Sequence, residues 1–270
     1  MRKEKLFLNV TGLLIIAFHL IPIYLSVVAS FKAKSDLSIK WALPRDIHWD
    51  NYLMALQDGA FYAVLMNTLL VTFCTVALTL AVGSLTGYVL ARLQNRITNT
   101  AALIFIGVMM VPSVTLIVPL YKTMLQLGAI NTYWGIIVLS TAFHLPLCIF
   151  LYTNFIKTIP KELDEAAQID GCRSFSIFYK MILPLLGPVT ASMAIITSIA
   201  TYNEYLFPLY FLQKSEMRMI TTYITTFFSE NSYPNAASAV AMLGALPPMI
   251  LFIVFQKHFV SGALSGLTKS

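Results

Sequence analysis

Long apolar runs separated by short polar stretches dominate the sequence. Glu204 is the only charged residue inside them, although the chain has 18 Lys and Arg and 12 Asp and Glu. A charge is expensive in hydrocarbon, and a helix crosses a bilayer in about 20 residues. The pattern therefore predicts an all-α, polytopic membrane protein with six transmembrane helices. The predicted spans are Leu6 to Phe31, Phe61 to Ala91, Ala101 to Tyr121, Tyr133 to Ile156, Pro188 to Phe211 and Ala236 to Phe255.

Composition supports one membrane domain. Of the 270 residues, 58% are hydrophobic and 11% are charged, against about 25% charged in soluble domains. After six spans and their loops, no length remains for a further soluble catalytic domain. We divide the chain into 1–60, with the first helix and an external segment, a core over 61–260, and a tail over 261–270.

No pattern for catalysis, metal or cofactor binding is present. Cys74, Cys148 and Cys172 form no paired motif, the four histidines lack the i, i+4 spacing of zinc-binding helices, and no P-loop or GxSxG sequence occurs. The net charge of +6 comes from scattered basic residues, which does not favour nucleic-acid binding. We predict no catalytic residue, no metal and no cofactor.

The distribution of Lys and Arg predicts the orientation. With the N-terminus in the cytoplasm, 11 of the 18 Lys and Arg fall on the inner side, as the positive-inside rule favours. Both termini are then cytoplasmic, and the loop over 157–187 is also inside.

The inner loop begins with the signature of a short, isolated helix. Acidic residues follow Pro160, which suits a first helical turn, and Gly171 is a typical stop. The residues at i, i+3, i+4 and i+7 form a small face suited to close approach by another protein: Leu163, Ala166, Ala167 and Asp170. A solvated hairpin without a partner is the alternative that spacing alone leaves open.

An amphipathic segment follows this helix. Phe175, Phe178, Tyr179 and Ile182 repeat with helical spacing, which predicts one apolar face lying along the inner membrane surface. Leu183-Pro184 and Gly187-Pro188 then interrupt the helix before the fifth span.

The residues of this loop resemble a known family signature. Glu165-Ala166-Ala167, then Asp170-Gly171 and later Leu183-Pro184, resemble the EAA loop of binding-protein-dependent ABC importer permeases. Asn203-Glu204-Tyr205-Leu206-Phe207-Pro208-Leu209 is similar to the fifth-span signature of the carbohydrate-uptake, MalG-like group, with Tyr202 where a Trp usually stands. The resemblance covers nearly the whole chain.

The resemblance implies a type I ABC importer permease in the bacterial cell membrane. Such a subunit pairs with a second permease, two cytoplasmic ATPases and an external solute-binding protein that delivers a sugar. ATPase coupling is then expected at Leu163, Glu165, Ala166, Ala167, Asp170 and Gly171. The segments 32–60 and 212–235 are the expected surfaces for the binding protein.

Two questions stay open at this point. Asn203 and Glu204 either face the translocation path, where they meet sugar hydroxyls, or lock helices together. An ionisable residue in a span is a functional-site hypothesis by default, but we favour the helix lock. The alternative function is a secondary transporter, which normally shows paired intramembrane charges and internal repeats.

Overall fold

The computed structural model describes residues 2–36, 38–57, 59–229 and 233–267, and of 2–4, 57, 229 and 254–267 only the backbone is described. The regular structure in these ranges is helical. The helices are α1 Arg2–Ser30, α2 Asp50–Gln57, α3 Ala60–Arg92, α4 Arg96–Val108, α5 Ile117–Gln126, α6 Tyr133–Lys157, α7 Glu162–Ile169, α8 Ser174–Ile177, α9 Leu183–Leu185, α10 Gly187–Tyr202, α11 Leu206–Phe211, α12 Ile220–Ser229 and α13 Pro234–Leu267. Short 3-10 turns lie at Ser113–Leu116 and Ser215–Met217, and a π-helical turn covers Phe178–Ile182.

Four helices in the described part of the chain, α1, α3, α6 and α13, are long and apolar enough to cross a membrane. Two bent helix pairs raise this number to six if each pair counts as one span. The structure therefore agrees with a multi-pass helical protein of four to six spans.

The third predicted span is not a straight helix. Arg96–Val108 and Ser113–Gln126 meet at an angle of 95°. Pro112 lies at the bend with extended backbone, φ −63° and ψ 128°. Proline disfavours helical backbone in the residue before it and lacks an amide donor, so the helix ends before Pro112. The predicted span over 101–121 is therefore bent at this proline.

The fifth predicted span is also interrupted. α10 ends at Tyr202 and α11 begins at Leu206, so Asn203, Glu204 and Tyr205 form a break inside the predicted span. At the other end, the segment Ser174–Leu185 meets α10 at 77°.

The last helix is longer than its apolar run predicts. α13 extends from Pro234 to Leu267, so the segment assigned to the tail, 261–270, is helical as far as Leu267. Residues 268–270 lie outside the described residues.

By its internal contacts the chain divides into two compact units. The first is Met1–Leu65 with Ile220–Pro247. Within it, two asparagine side chains hold the end of α1: Asn51 Nδ2 donates to the Ser30 and Lys32 carbonyls at 2.8 and 3.0 Å, and Asn235 Nδ2 donates to the Lys32 and Ala33 carbonyls at 3.0 and 2.7 Å. The chain leaving α1 is thereby fixed.

The second unit is Met66–Met219 with Pro248–Ser270, and it contains the inner loop. In this unit α3 and α6 pack so closely that a Cβ on Gly87 would lie 2.6 Å from the Cβ of Tyr152. Tyr152 is fully buried there and donates a hydrogen bond to Thr190 Oγ1 at 2.8 Å. Small residues permit such close helix packing, which brings the end of α3 beside the end of α6.

Candidate functional site

α7 is a short helix whose end is tightly closed. Gly171 has a φ of +80°, a conformation that a side chain disfavours. Its amide donates to the Gln168 carbonyl at 3.0 Å, and the Cys172 amide donates to the Ala167 carbonyl at 2.9 Å. This pair of bonds is the Schellman motif. At the other end the helix begins at Glu162, so Pro160 precedes it instead of lying in its first turn.

The two sides of α7 have different surroundings. Asp164 and Ala167 are buried within the chain, whereas Leu163, Glu165, Ala166 and Asp170 are exposed. The predicted docking face is therefore corrected at one position: Ala167 packs into the core of its own chain and is not available to a partner. Ile169, which the predicted face left out, is 87% exposed and is the most accessible apolar side chain of the helix.

A buried ion pair attaches α7 to the end of α3. Arg92 Nη2 lies 2.7 Å from Asp164 Oδ2, and the Tyr88 hydroxyl donates to Asp164 Oδ1 at 2.7 Å. The Arg92 and Asp164 side chains are only 10% and 7% exposed. Asp164 is one of the acidic residues that follow Pro160, and its local pattern does not predict this ion pair. No local pattern assigns Tyr88 or Arg92 to the site.

Arg92 also binds the end of α6. Its Nη1 donates to the carbonyls of Ile156 and Ile159 at 3.3 and 3.1 Å. A cation near the carbonyl end of a helix is favoured by the helix dipole. One guanidinium thus joins the end of α3, the end of α6 and the first turn of α7.

A cleft of about 310 Å³ lies beside this ion pair. Its polar wall includes Arg92, Lys161, Asp164, Glu165 and Gln168. Glu165 therefore lines the cleft, although the ion pair itself is buried.

The segment after α7 is helical, and the predicted apolar face is divided between the surface and the core. Phe175 and Tyr179 are 69% and 62% exposed, so they remain accessible to a membrane surface, whereas Phe178 and Ile182 are buried in the chain together with Ile177. The π-helical turn over Phe178–Ile182 shifts the helical phase. Pro184 explains this turn, because it has no amide to donate and its ring clashes with the carbonyl four residues earlier.

Glu204 stabilises the break in the fifth predicted span. Its Oε1 accepts hydrogen bonds from the amides of Leu206 and Phe207 at 2.9 and 3.4 Å, which are the first amides of α11. Asn203 is exposed, and its Nδ2 donates to the Ile199 carbonyl at 2.8 Å. Both side chains therefore bond to backbone of their own segment, and these bonds give Glu204 a structural role as the cap of α11.

Metal coordination has no support in the described ranges, where no group of three or more His, Cys, Asp or Glu side chains is suitably placed. The site consists instead of a short exposed helix that is anchored from behind to membrane helices. This site, in a chain with four to six candidate spans, defines a polytopic membrane protein.

Comparison with known proteins identifies the family. The family model described as "Binding-protein-dependent transport system inner membrane component" matches residues 82–264, and the chain belongs to this family. The match includes α7 and the ion pair. The resemblance found in the sequence is confirmed.

Similar proteins include sugar import permeases. The chain is 36% identical to the melibiose/raffinose/stachyose import permease protein MelC of Bacillus subtilis (strain 168), over 99% of this chain and 98% of that protein. It is 30% identical to the arabinooligosaccharides transport system permease protein AraQ of Halalkalibacterium halodurans, over 96% of this chain and 94% of that protein. Each match covers almost the full length of both aligned chains.

Solved structures share the fold. A chain from the crystal structure of a bacterial ABC transporter involved in the import of the acidic polysaccharide alginate superposes with a TM-score of 0.81, at 22% identity and over 96% of this chain and 98% of that one. A second alginate ABC transporter structure, in complex with an alginate pentasaccharide-bound periplasmic protein, gives a TM-score of 0.69 at 17% identity, over 94% and 93% of the chains. The fold is that of an ABC importer permease.

Proposed function

We propose that this chain is the permease subunit of an ATP-driven ABC importer that takes up a sugar or oligosaccharide delivered by an external solute-binding protein. The observation that carries the proposal is α7, a capped helix with an exposed outer side and a buried ion pair behind it, in a chain of the binding-protein-dependent transport family. The near full-length similarity to sugar import permeases supports a sugar as the substrate.

The proposed complex contains a second permease and two cytoplasmic ATPases. ATP hydrolysis occurs on the ATPases, and this chain conducts the sugar. In this proposal α4 with α5 counts as one span and α10 with α11 as another. Together with α1, α3, α6 and α13 this gives six spans with both termini in the cytoplasm. In that orientation α7 faces the ATPases.

The ATPase contact is assigned to the exposed part of α7. Leu163, Glu165, Ala166 and Asp170 of the predicted set are exposed, and Ile169 adds a large apolar side chain. An exposed apolar side chain beside small residues fits a groove of a partner. Gly171 contributes by closing the helix, since its backbone conformation ends α7 at a fixed place.

Uptake by the reconstituted complex tests this function. The permease pair, the ATPases and the binding protein are placed in proteoliposomes, and labelled melibiose, raffinose, stachyose, arabinooligosaccharides and maltodextrins are supplied in turn. We expect ATP-dependent uptake of at least one of these sugars. Accumulation that follows an ion gradient and ignores ATP would instead establish the secondary transporter.

A charge on the exposed side of α7 tests the contact itself. Ile169→Glu is expected to reduce both ATPase co-purification and uptake, because a carboxylate replaces an apolar contact. Ile97→Glu is the matched control, since Ile97 is 80% exposed on α4 and lies on the same proposed side of the membrane. Equal ATPase recovery and uptake in the two variants would show that α7 is not the ATPase contact.

A further inference from the structure

The last turn of α3 contacts the inner loop on both sides of α7. Before α7, Arg92 donates to the carbonyl of Ile159, within the short connection from α6. Within α7, Arg92 forms an ion pair with Asp164. After α7, the Tyr88 ring packs against Phe178 with ring centroids 5.3 Å apart. Tyr88 also donates to Asp164, so it joins α7 itself to the same turn of α3.

Tyr88 and Arg92 are four residues apart on one helix, so they project from the same face. Both are largely buried, Tyr88 at 8% exposed and the Arg92 side chain at 10%. Burial limits competition from water, and separating the partners would leave a charge in a poorly solvated place. The contact between α3 and α7 therefore resists separation.

These contacts restrain the short connection between α6 and α7. Residues 158–161 lie outside α6 and α7 and would allow α7 to pivot about the end of α6 if only the backbone joined them. With Arg92 bound to Ile156, Ile159 and Asp164 together, α7 cannot be displaced without displacing α3 or breaking the ion pair.

We propose that Arg92 and Tyr88 are positioning residues that transmit displacement of α7 to α3, so that ATPase movement drives a second membrane helix besides α6. This inference rests on the proposed function. It predicts that weakening these contacts uncouples ATP hydrolysis from sugar movement while the ATPase stays bound, because the exposed side of α7 is unchanged.

The experiment compares Arg92→Lys and Tyr88→Phe with the wild-type complex in proteoliposomes. Lysine keeps the charge but cannot span three acceptors, and phenylalanine keeps the ring packing but loses the hydroxyl bond. The matched controls are Arg96→Lys and Tyr62→Phe, at two exposed positions. The readouts are the amount of co-purified ATPase and the sugar transported per ATP hydrolysed.

We expect normal ATPase recovery with both variants. Sugar transported per ATP should fall roughly fivefold or more with Arg92→Lys, and by a smaller factor with Tyr88→Phe, while both controls stay at the wild-type ratio. An unchanged ratio in both variants overturns the proposal, even if less complex is recovered, because a purely structural role lowers yield and leaves the ratio intact. A wild-type complex without ATP-driven uptake overturns the proposed function itself, and this inference with it.

Discussion

Two interruptions of the helical chain are stabilised in different ways. At the inner loop, the connection before α7 is held by Arg92, a side chain from another helix, through a buried ion pair and two carbonyl bonds. At the break after α10, Glu204 accepts hydrogen bonds from the two amides that follow it almost immediately in sequence.

The Arg92 contacts join three segments of the chain, whereas these two Glu204 bonds close the start of one helix. A cap satisfies amides at a helix start and affects little beyond that turn. A buried ion pair between distant segments obliges those segments to move together. We therefore expect changes at the inner loop to have larger effects on stability and transport than changes at Glu204.

The largest effect is expected for Asp164→Leu. This substitution leaves the buried Arg92 without its carboxylate, which we expect to cost about 3–5 kcal/mol of the free energy of unfolding. Unfolding in detergent, followed by circular dichroism against denaturant, measures it. Asp170→Leu, at an exposed aspartate of the same helical segment, should change stability far less.

A second substitution sharpens this prediction. Adding Arg92→Met to Asp164→Leu removes the unpaired charge, so most of the lost stability should return. The double variant should remain poorly coupled in transport. A double variant no more stable than Asp164→Leu alone would show that burial of the unpaired charge is not the cause of the loss.

Gly171→Ala should have an intermediate effect. The left-handed backbone at Gly171, φ +80°, costs about 1–2 kcal/mol when a Cβ is present. No heavy atom lies within 4 Å of the Cβ position, so the cost is conformational and not steric. Gly12→Ala is the control, because Gly12 is equally open but has ordinary helical backbone. Equal stability of the two variants, in the same denaturant assay, would contradict the role of the cap.

Glu204→Ala should have the smallest effect of the three. Loss of the cap on α11 is expected to cost about 1 kcal/mol, whereas Glu204→Gln keeps an oxygen acceptor and should cost less. Uptake measurements complete the comparison. Normal uptake by the Glu204→Gln variant supports the structural role. A large loss of uptake by this variant, at unchanged stability, would instead support a role for Glu204 in the translocation path.

The sequence predicted the parts of the fold that depend on local composition. The apolar runs located the membrane helices, and Gly171 correctly marked the end of α7, because both signals are carried by neighbouring residues. The break at Asn203 and the size of the bend at Pro112 were not predicted, since a hydrophobic run has the same composition whether it is straight or broken.

The site was predicted only in part for a similar reason. Leu163, Ala166 and Asp170 lie on the exposed side of α7, but Ala167 does not, and nothing in the local pattern distinguishes the two alanines. Tyr88 and Asp164 are separated by 76 residues. Their contact depends on the packing of α3 against α6, which a single sequence does not encode in any local spacing.

The central claim is that this chain works as one subunit of an ATP-driven importer. Purification of the tagged chain from its native host in mild detergent, with mass spectrometry of the proteins recovered in fixed ratio, tests this claim most directly. We predict recovery of a second permease and a P-loop ATPase. Recovery of the chain alone, in a detergent shown to preserve complexes of this kind, would contradict the account and favour a transporter that acts without an ATPase.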